Sequence, residues 1–297
     1  MRDRFTLDQI RTFVAAAEEG SFSAAARQMG RAQSAVSDLV RRLEAELGVI
    51  LFDRSGRSPK LTAEGESLLK DARAIGGAVD FLSFHAHGLS EGLEPELCAV
   101  IDVYFPFSAI TEAAKHFRQR FPATPLRLYV EVLGAATEPV LDGRASFAVV
   151  GGPTPLPPGL GGEPLAGVAV VIVAAPDHPL AQCKGIIPRS ELAKHVQLVL
   201  TERSTRSAGR EVGVASPTSW RLADLYAKHA FLLNGLGWGS MPLHAVERDL
   251  AEGRLVRLIT PETPESGLVA QMTAVYRTAS PPGPAGRWLI ERLKSGR

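Results

Sequence analysis

The chain has 297 residues, of which 45% are hydrophobic and 22% are charged, and its formal net charge at pH 7 is +1. This length suits two or three domains that each bury a core. The near-neutral charge excludes a protein that coats nucleic acid with a uniformly basic surface.

Two cysteines are too few for a disulfide framework and fit a reducing compartment. The charged amino terminus lacks the apolar core of a signal peptide. The longest apolar run, residues 165–175, is too short to cross a bilayer. We therefore expect a cytoplasmic protein that does not enter a membrane.

The first fifty residues predict three short helices. Residues 7–19 place apolar side chains on one helical face, and Ser21 or Ser23 can cap a second, alanine-rich helix over 24–29. A third helix is predicted over 33–47 and is closed by Gly48. Two helices joined by a tight turn allow one to enter the DNA major groove while the other supports it.

The third helix has two different faces. Val36, Leu39 or Val40, Leu43 and Leu47 form an apolar side, and short polar and arginine side chains form the other. Such a helix suits groove entry. From Arg27 to Lys60 the sequence holds seven cations and four anions, and an arginine-rich wing follows the helix. The alternative is a helical bundle whose arginines only maintain solubility, but it leaves the wing unexplained.

The candidate DNA-contacting residues are Ser23, Gln33, Ser34, Ser37, Asp38, Arg41, Arg42, Arg54 and Arg57. The Gln33 amide can pair with adenine. Asp38 either accepts from a cytosine amine or forms a salt bridge with Arg41 or Arg42. Arg54 and Arg57 are expected to contact phosphate or the minor groove. The alternative for either is a structural bridge to Asp53 or Glu64.

Residues 63–93 predict one long helix with a heptad pattern. The apolar positions are Leu68, Ala72, Ile75, Val79, Leu82, Ala86 and Leu89. Dimerisation would cover this stripe, and the alternative is packing of the helix on its own domain. A kink is expected at Gly76 and Gly77, because glycine weakens a helix.

From residue 97 onward the pattern alternates between strands and helices. Strands are predicted over 97–104, 126–132, 147–150, 168–174, 196–200 and 269–276, and helices over 106–120, 137–142, 219–229, 243–252 and 285–293. Residues 151–164 look like a crossover between two lobes. This alternation predicts an α/β domain with mainly parallel sheets, which bind small ligands beyond their strand ends.

Several motifs carry a family resemblance. The segment FVAAAEEGSFSAAARQMGRAQSAVSDLVRRLEAELGVILFDRSGRSPKLTAEG (13–65) is the densest, and HFRQRFP (116–122), APDHPLA (175–181) and GLGWGSMP (235–242) follow. With these motifs the chain resembles the LysR-type transcriptional regulators over nearly its whole length. Two positions depart from the family pattern: Ala32 stands where threonine is frequent, and Asp38 where a longer polar or basic residue is frequent.

The resemblance implies a winged helix-turn-helix over 1–65, a dimerising linker helix over 66–94 and a two-lobed α/β effector domain over 95–297. The effector domain would resemble a periplasmic binding protein. Lobe I is expected over about 95–162 and 266–297, and lobe II over about 163–265. The implied partners are double-stranded DNA, a small-molecule effector, further copies in a homodimer or homotetramer, and RNA polymerase.

The resemblance also directs attention to three loops that would hold the effector. Their residues are Phe105, Ser108, Thr201, Arg203, Ser204, Trp238 and Ser240. Ser108 at a helix start could help to hold a carboxylate, Arg203 could pair with an anion and Trp238 could wall an apolar part. Arg203 also has Arg206 and Arg210 nearby, so a surface cluster is the alternative. We expect a small anionic effector with an aromatic or apolar part.

The sequence offers three alternatives to an effector-controlled regulator. An enzyme is not expected, because no acid–base, nucleophile or metal constellation is recognisable, and neither a metal nor a cofactor other than the effector is expected. A redox-responsive regulator would use Cys98 and Cys183, although Cys98 lies in a predicted strand. An effector-independent DNA-binding protein would leave some two hundred residues of strand and helix without a purpose.

Overall fold

The computed structural model describes residues 5–56, 58–152, 156–201, 213–264 and 267–295. The chain divides into two compact units, Met1–Ser90 and Glu91–Arg297. Predicted site residues Arg57, Arg203 and Ser204 lie outside the described residues. Within the described part, no helix is long and apolar enough to span a membrane.

The amino-terminal unit is helical with a small hairpin. Its helices are α1 (Leu7–Glu18), α2 (Phe22–Gln28), α3 (Gln33–Leu47) and α4 (Ala63–Ser90), and its antiparallel strands are β1 (Phe52–Asp53) and β2 (Lys60–Leu61). A capping box between Thr6 and Gln9 starts α1, and the Ser21 hydroxyl accepts from the Ala24 amide to start α2. Gly48 ends α3 in the left-handed conformation, at φ +73°.

Apolar side chains from all four helices and the hairpin form one core in this unit. Phe13 and Phe22 both pack edge-on against Phe52 of β1, with ring centroids 5.8 and 5.2 Å apart. The α3 residues in this core are Val36, Val40 and Leu43. Of the two alternatives predicted for the apolar face, Leu39 and Val40, it is Val40 that is buried. The hairpin is therefore anchored to the helices by its aromatic residue.

Helix α4 is packed over only part of its length. Leu69 and Ala72 lie in the core of the unit, and Arg73 pairs with Glu18 of α1 at 3.1 Å. Farther along, apolar side chains such as Leu82 (65% exposed) have no cover within the unit. The helix is continuous through Gly76 and Gly77, and the kink expected at these glycines stays a prediction.

The described residues of the carboxy-terminal unit form a five-stranded, a four-stranded and a two-stranded sheet, with helices around them. Its strands are β3 (Leu97–Asp102), β4 (Leu126–Glu131), β5 (Phe147–Gly151), β6 (Leu160–Pro164), β7 (Val168–Ala174), β8 (Gln197–Leu200), β9 (Ser219–Leu222), β10 (Gly239–Pro242), β11 (Val256–Leu258), β12 (Leu268–Ala270) and β13 (Met272–Arg277). Its α-helices are α5 (Phe107–Arg120), α6 (Glu138–Leu141), α7 (Arg189–Leu192), α8 (Leu225–Leu233), α9 (Leu243–Ala251) and α10 (Pro284–Ser295), and 3₁₀ turns cover Leu133–Ala136 and Pro179–Gln182.

The first lobe is built on a five-stranded sheet in the order β4-β3-β5-β13-β6. Strands β3, β4 and β5 are parallel, whereas β13 runs antiparallel to both of its neighbours. Strand β3 is buried on both faces, as the centre of such a sheet requires. Its Leu97, Ala99 and Ile101 share a core with α5 and α10, and Cys98 and Val100 face the opposite layer.

The second lobe is centred on β7, which pairs antiparallel with β10, β11 and β12. The parallel pair β8-β9 joins β10 through a bridge between Gln197 and Trp238. The chain passes from the first sheet to the second between β6 and β7, and returns between β12 and β13. The five-stranded sheet is thus mixed, and the described strand pairs around β7 are all antiparallel, which corrects the prediction of mainly parallel sheets.

Three local predictions are wrong for the same reason, namely pairing between distant segments. Residues 160–164, predicted as crossover, form edge strand β6, whose Glu163 accepts from the Tyr276 hydroxyl of β13 at 2.6 Å. Residues 219–222, predicted as helix, form β9. The predicted strand 269–276 is divided into β12 and β13, which belong to different sheets.

Candidate nucleic-acid interface and effector site

Helix α3 presents the predicted polar face to solvent. Gln33, Ser34, Asp38, Arg41 and Arg42 are exposed, and Ser37 is half-buried, while Val36, Val40 and Leu43 are buried on the opposite side. The face is therefore free of cover by the unit's own described residues. Short polar side chains and arginines on one exposed helical face can reach base edges and phosphates.

The beginning of α3 lacks a side-chain cap. Ala32 occupies the N-cap position with extended backbone, and its side chain makes no hydrogen bond to the helix. Serine, threonine, aspartate or asparagine would ordinarily satisfy one amide there. The departure at position 32 noted in the sequence thus has a direct structural consequence.

Asp38 is paired with Arg41. The Arg41 guanidinium donates to the Asp38 carboxylate at 2.9 Å, and both side chains are more than half exposed. Of the two interpretations left open by the sequence, the salt bridge is the one formed in the free protein. A pair this exposed contributes little to stability, so it leaves Arg41 able to turn toward a phosphate.

Arg54, in the wing formed by the β1-β2 hairpin, is tied to α3. It donates to Glu44 of α3 at 2.8 Å and lies over the Phe22 ring at 5.1 Å from its centroid. The other Glu44 carboxylate oxygen accepts from the backbone amides of Leu51 and Phe52. The structural partner of Arg54 is therefore Glu44, which corrects the predicted alternatives Asp53 and Glu64.

Ser23 is half-buried in the first turn of α2, where its hydroxyl accepts from Arg27 at 3.1 Å. Asp53, on the wing, accepts from the Ser55 amide at 2.9 Å, which lowers the pKa of this carboxyl. These local contacts shape the α2 turn and the start of the wing loop. They place Ser23 on the supporting helix rather than on the exposed α3 face.

In the carboxy-terminal unit, one hydroxyl connects the two lobes. The Ser240 hydroxyl on β10 lies 3.4 Å from the Tyr104 hydroxyl of the first lobe and 3.5 Å from the Lys228 amine of α8. Tyr104 is positioned by a turn in which Asp102 accepts from its backbone amide at 2.8 Å. Burial raises the pKa of Tyr104 and lowers the pKa of Lys228 to about 7.

Two family models match the chain, one in each unit. Residues 7–66 match the lysR family of bacterial regulatory helix-turn-helix proteins, and residues 90–297 match the LysR substrate binding domain. The chain belongs to the LysR family of transcriptional regulators. The resemblance noted in the sequence is thereby confirmed, and so is the predicted fold class, with a helix-turn-helix at the amino terminus and an α/β binding domain at the carboxy terminus.

Relatives of this LysR-family regulator match it over most of their length. The probable HTH-type transcriptional regulator YhaJ of Escherichia coli K12 is 32% identical over 267 residues, which is 87% of each chain. The uncharacterized regulator YeeY of the same organism is 31% identical over 256 residues, covering 84% of this chain and 82% of its own. A cysteine mutant of OxyR from Corynebacterium glutamicum has the same fold, with a TM-score of 0.55, 24% identity and coverage of 99% and 94%.

The predicted effector residues of this LysR-family regulator do not all reach a surface. Ser108 is exposed in the first turn of α5, and Thr201 and Ser240 are half-buried. Phe105 (2% exposed) lies in the first-lobe core, and Trp238 (1% exposed) lies in the second-lobe core, where its indole donates to the Leu192 carbonyl at 3.2 Å. Both side chains are packed within the protein, and their contact with an effector stays a prediction.

Sequence reasoning missed Tyr104 and Lys228. A signal for Lys228 was present, since it is the one lysine in the apolar helix LYAKHAFLL of α8. For Tyr104 no comparable signal existed, because its partner Ser240 is 136 residues away in the chain.

The two cysteines lie in different lobes of the regulator. Cys98 is buried in β3, and burial is the main cause of its raised thiol pKa, while Cys183 is exposed after the 3₁₀ turn of the second lobe. A redox sensor needs an accessible thiolate. The environment of Cys98 opposes that chemistry.

Proposed function

We propose that this regulator reads its operator through Gln33 and the exposed polar face of α3, while Arg41, Arg42 and the wing hold the DNA backbone. The observation that carries the proposal is the division of α3 into an exposed polar face and a side sealed by Val36, Val40 and Leu43. A recognition helix needs this division, because it must stay packed on its unit while its other side enters a groove.

The regulator is proposed to act as a homodimer, or as a homotetramer of two such dimers. The support is the far half of α4, where Ile75, Phe81, Leu82 and Leu89 are exposed. A second copy of α4 would cover these side chains, as in other helix pairs. Dimerisation would place two recognition helices on half-sites one duplex turn apart.

The carboxy-terminal unit is proposed to bind a small anionic effector between its lobes and to need no metal or other cofactor. Among the predicted effector residues that the structure describes, Ser108, Thr201 and Ser240 are the accessible or half-buried polar groups. Effector binding would change promoter occupancy and the contact with RNA polymerase in the cytoplasm. An effector-dependent change in a DNA footprint would separate this proposal from an effector-independent DNA-binding protein.

The operator proposal is tested by selecting preferred sequences from a random duplex pool and titrating variants against the selected and a scrambled duplex at fixed salt. We expect Gln33→Ala to lose about 1–3 kcal/mol on the selected duplex, because a bidentate base contact is worth that much. Binding to the scrambled duplex should not change.

The matched control is Gln28→Ala, which removes the same side chain from the exposed end of α2. It should bind both duplexes like the wild type. Equal losses of Gln33→Ala on the two duplexes would remove Gln33 from base recognition.

A further inference from the structure

Lys228 is a buried amine in the middle of α8. The residue is 1% exposed, and its aliphatic chain passes beside Gly239 of β10, where an added Cβ would lie 3.1 Å from the lysine Cε. The same Cβ would lie 2.6 Å from the Leu198 carbonyl oxygen of β8. Glycine at 239 therefore leaves the space through which the amine reaches Ser240.

The amine has no counter-ion within the described part of the chain. Its single hydrogen bond there is the long one to the Ser240 hydroxyl, at 3.5 Å, and no carboxylate pairs with it. Burial is the cause of its lowered pKa, and no negative charge among the described residues offsets this desolvation. A methionine of similar length would fill this place without a buried charge. Relative to methionine, the lysine lowers the stability of the folded protein unless an anion binds beside it.

Two polar groups, one from each lobe, lie within hydrogen-bond distance of the Ser240 hydroxyl. Tyr104 approaches from the first lobe, and Lys228 and Ser240 belong to the second. A carboxylate has two oxygens that accept several hydrogen bonds, and it binds an ammonium group with a charge-assisted one. One amine balances one negative charge, so a doubly charged phosphate would require a second cation.

We propose that Lys228, Ser240 and Tyr104 together bind a single carboxylate group of the effector, with Lys228 as its counter-ion. The inference rests on the proposed effector-binding function and names the ligand chemistry and residues of that site. A carboxylate placed there replaces the direct contact between the Tyr104 and Ser240 hydroxyls. The carboxylate then links the two lobes through its own oxygens, so that effector binding can change how the lobes are arranged.

The test uses full-length protein and a panel of carboxylic acids, each paired with its primary amide, including benzoate with benzamide and succinate with succinamide. Inorganic phosphate is a further arm. Binding is measured by calorimetry and thermal shift. We expect wild-type protein to bind at least one carboxylate more tightly than its amide and more tightly than phosphate.

Lys228→Met is expected to lower the affinity for that carboxylate at least tenfold. Tyr104→Phe, which keeps the ring, should lower the same affinity severalfold. Circular dichroism and gel filtration verify that both variants are folded. The matched control is Lys115→Met, which removes an exposed lysine of α5 paired with Glu112. It should bind the carboxylate like the wild type.

Wild-type affinity in folded Lys228→Met, or an amide that binds as tightly as its acid, would overturn the inference. So would a wild-type protein that binds its selected operator but no carboxylate of the panel. Failure of the wild type to select any operator would instead count against the proposed function, which separates the two failures.

Discussion

The two units place their functional groups in opposite ways. On α3 the candidate DNA-contacting side chains come from ten consecutive residues, and they are exposed because the other side of the same helix is buried. Between the lobes, Tyr104 and Ser240 are separated by 136 residues, and they meet beside a lysine that is almost fully buried. Helical periodicity is sufficient to build the first site, whereas the second requires the whole topology of the unit.

The largest expected effect concerns the buried amine. The folded-state pKa of Lys228, about 7, lies below its ordinary value of 10.5, so between these pH values the unfolded state holds a proton that the folded state lacks. Stability should therefore rise with pH in this window, by about 1.4 kcal/mol per pH unit. Lys228→Met should lack this rise and be more stable than the wild type at pH 7.

Urea unfolding at pH 7, 8 and 9 checks this expectation. All three tryptophans, Trp220, Trp238 and Trp288, belong to the carboxy-terminal unit, so their fluorescence reports on that unit alone. The difference between wild type and variant removes the contribution of other titrating groups. If the free energy of unfolding varied with pH in the same way for both proteins, the Lys228 amine would not be desolvated. The contrast between an exposed site in one unit and a buried site in the other would then fail.

The next effect tests how tightly the amino-terminal unit is assembled. A Cβ on Gly65, in the first turn of α4, would lie 2.2 Å from the Leu51 carbonyl oxygen. Because the Leu51 carbonyl is part of the backbone and cannot rotate away as a flexible side chain would, Gly65→Ala should destabilise the unit by about 3 kcal/mol. Helical circular dichroism during thermal unfolding measures the loss.

Gly77→Ala is the matched control for Gly65→Ala, since nothing lies within 4 Å of a Cβ added at that position of the same helix. This change should stabilise α4 slightly, because alanine is the better helix former. Equal behaviour of the two variants would contradict the close approach at Leu51.

The smallest effect distinguishes the two roles of Asp38. Asp38→Ala frees Arg41 and removes a carboxylate that phosphate repels, so binding should strengthen on selected and scrambled duplexes alike. The slope of log affinity against log salt should steepen by about one, as expected for one more phosphate contact. Titration at several salt concentrations measures both quantities.

Asp71→Ala, which removes an exposed carboxylate from α4, serves as the control for Asp38→Ala. A loss confined to the selected duplex in Asp38→Ala would assign this carboxylate to base recognition. The salt bridge to Arg41 would then have to open on DNA.

The sequence predicted the amino-terminal unit closely because its signals are local. The span of α3, its glycine stop and its buried face all follow from a few adjacent residues. In the other unit, β3, β7 and α5 were predictable from their apolar patterns and flanking prolines. The family motifs supplied the two-lobed architecture that those patterns alone do not specify.

The remaining errors have a common physical cause. Strand β6 contains two glycines and a proline, and it forms because β13 pairs with it and Glu163 meets Tyr276. Trp238 lies within a glycine-rich motif that is typical of a loop, but the bridge to Gln197 brings it into the core. In each case a long-range partner, invisible in the local pattern, decides the outcome.

The missing cap at Ala32 has a consequence for how the recognition helix responds to its target. Without a hydroxyl or carboxylate at that position, water must satisfy the amides of Ser34 and Ala35 in the free protein. A phosphate oxygen of the duplex can take over from the solvent at this positive helix end. Amide hydrogen exchange at these two residues should therefore slow markedly on operator DNA, so that the ligand itself completes the first turn.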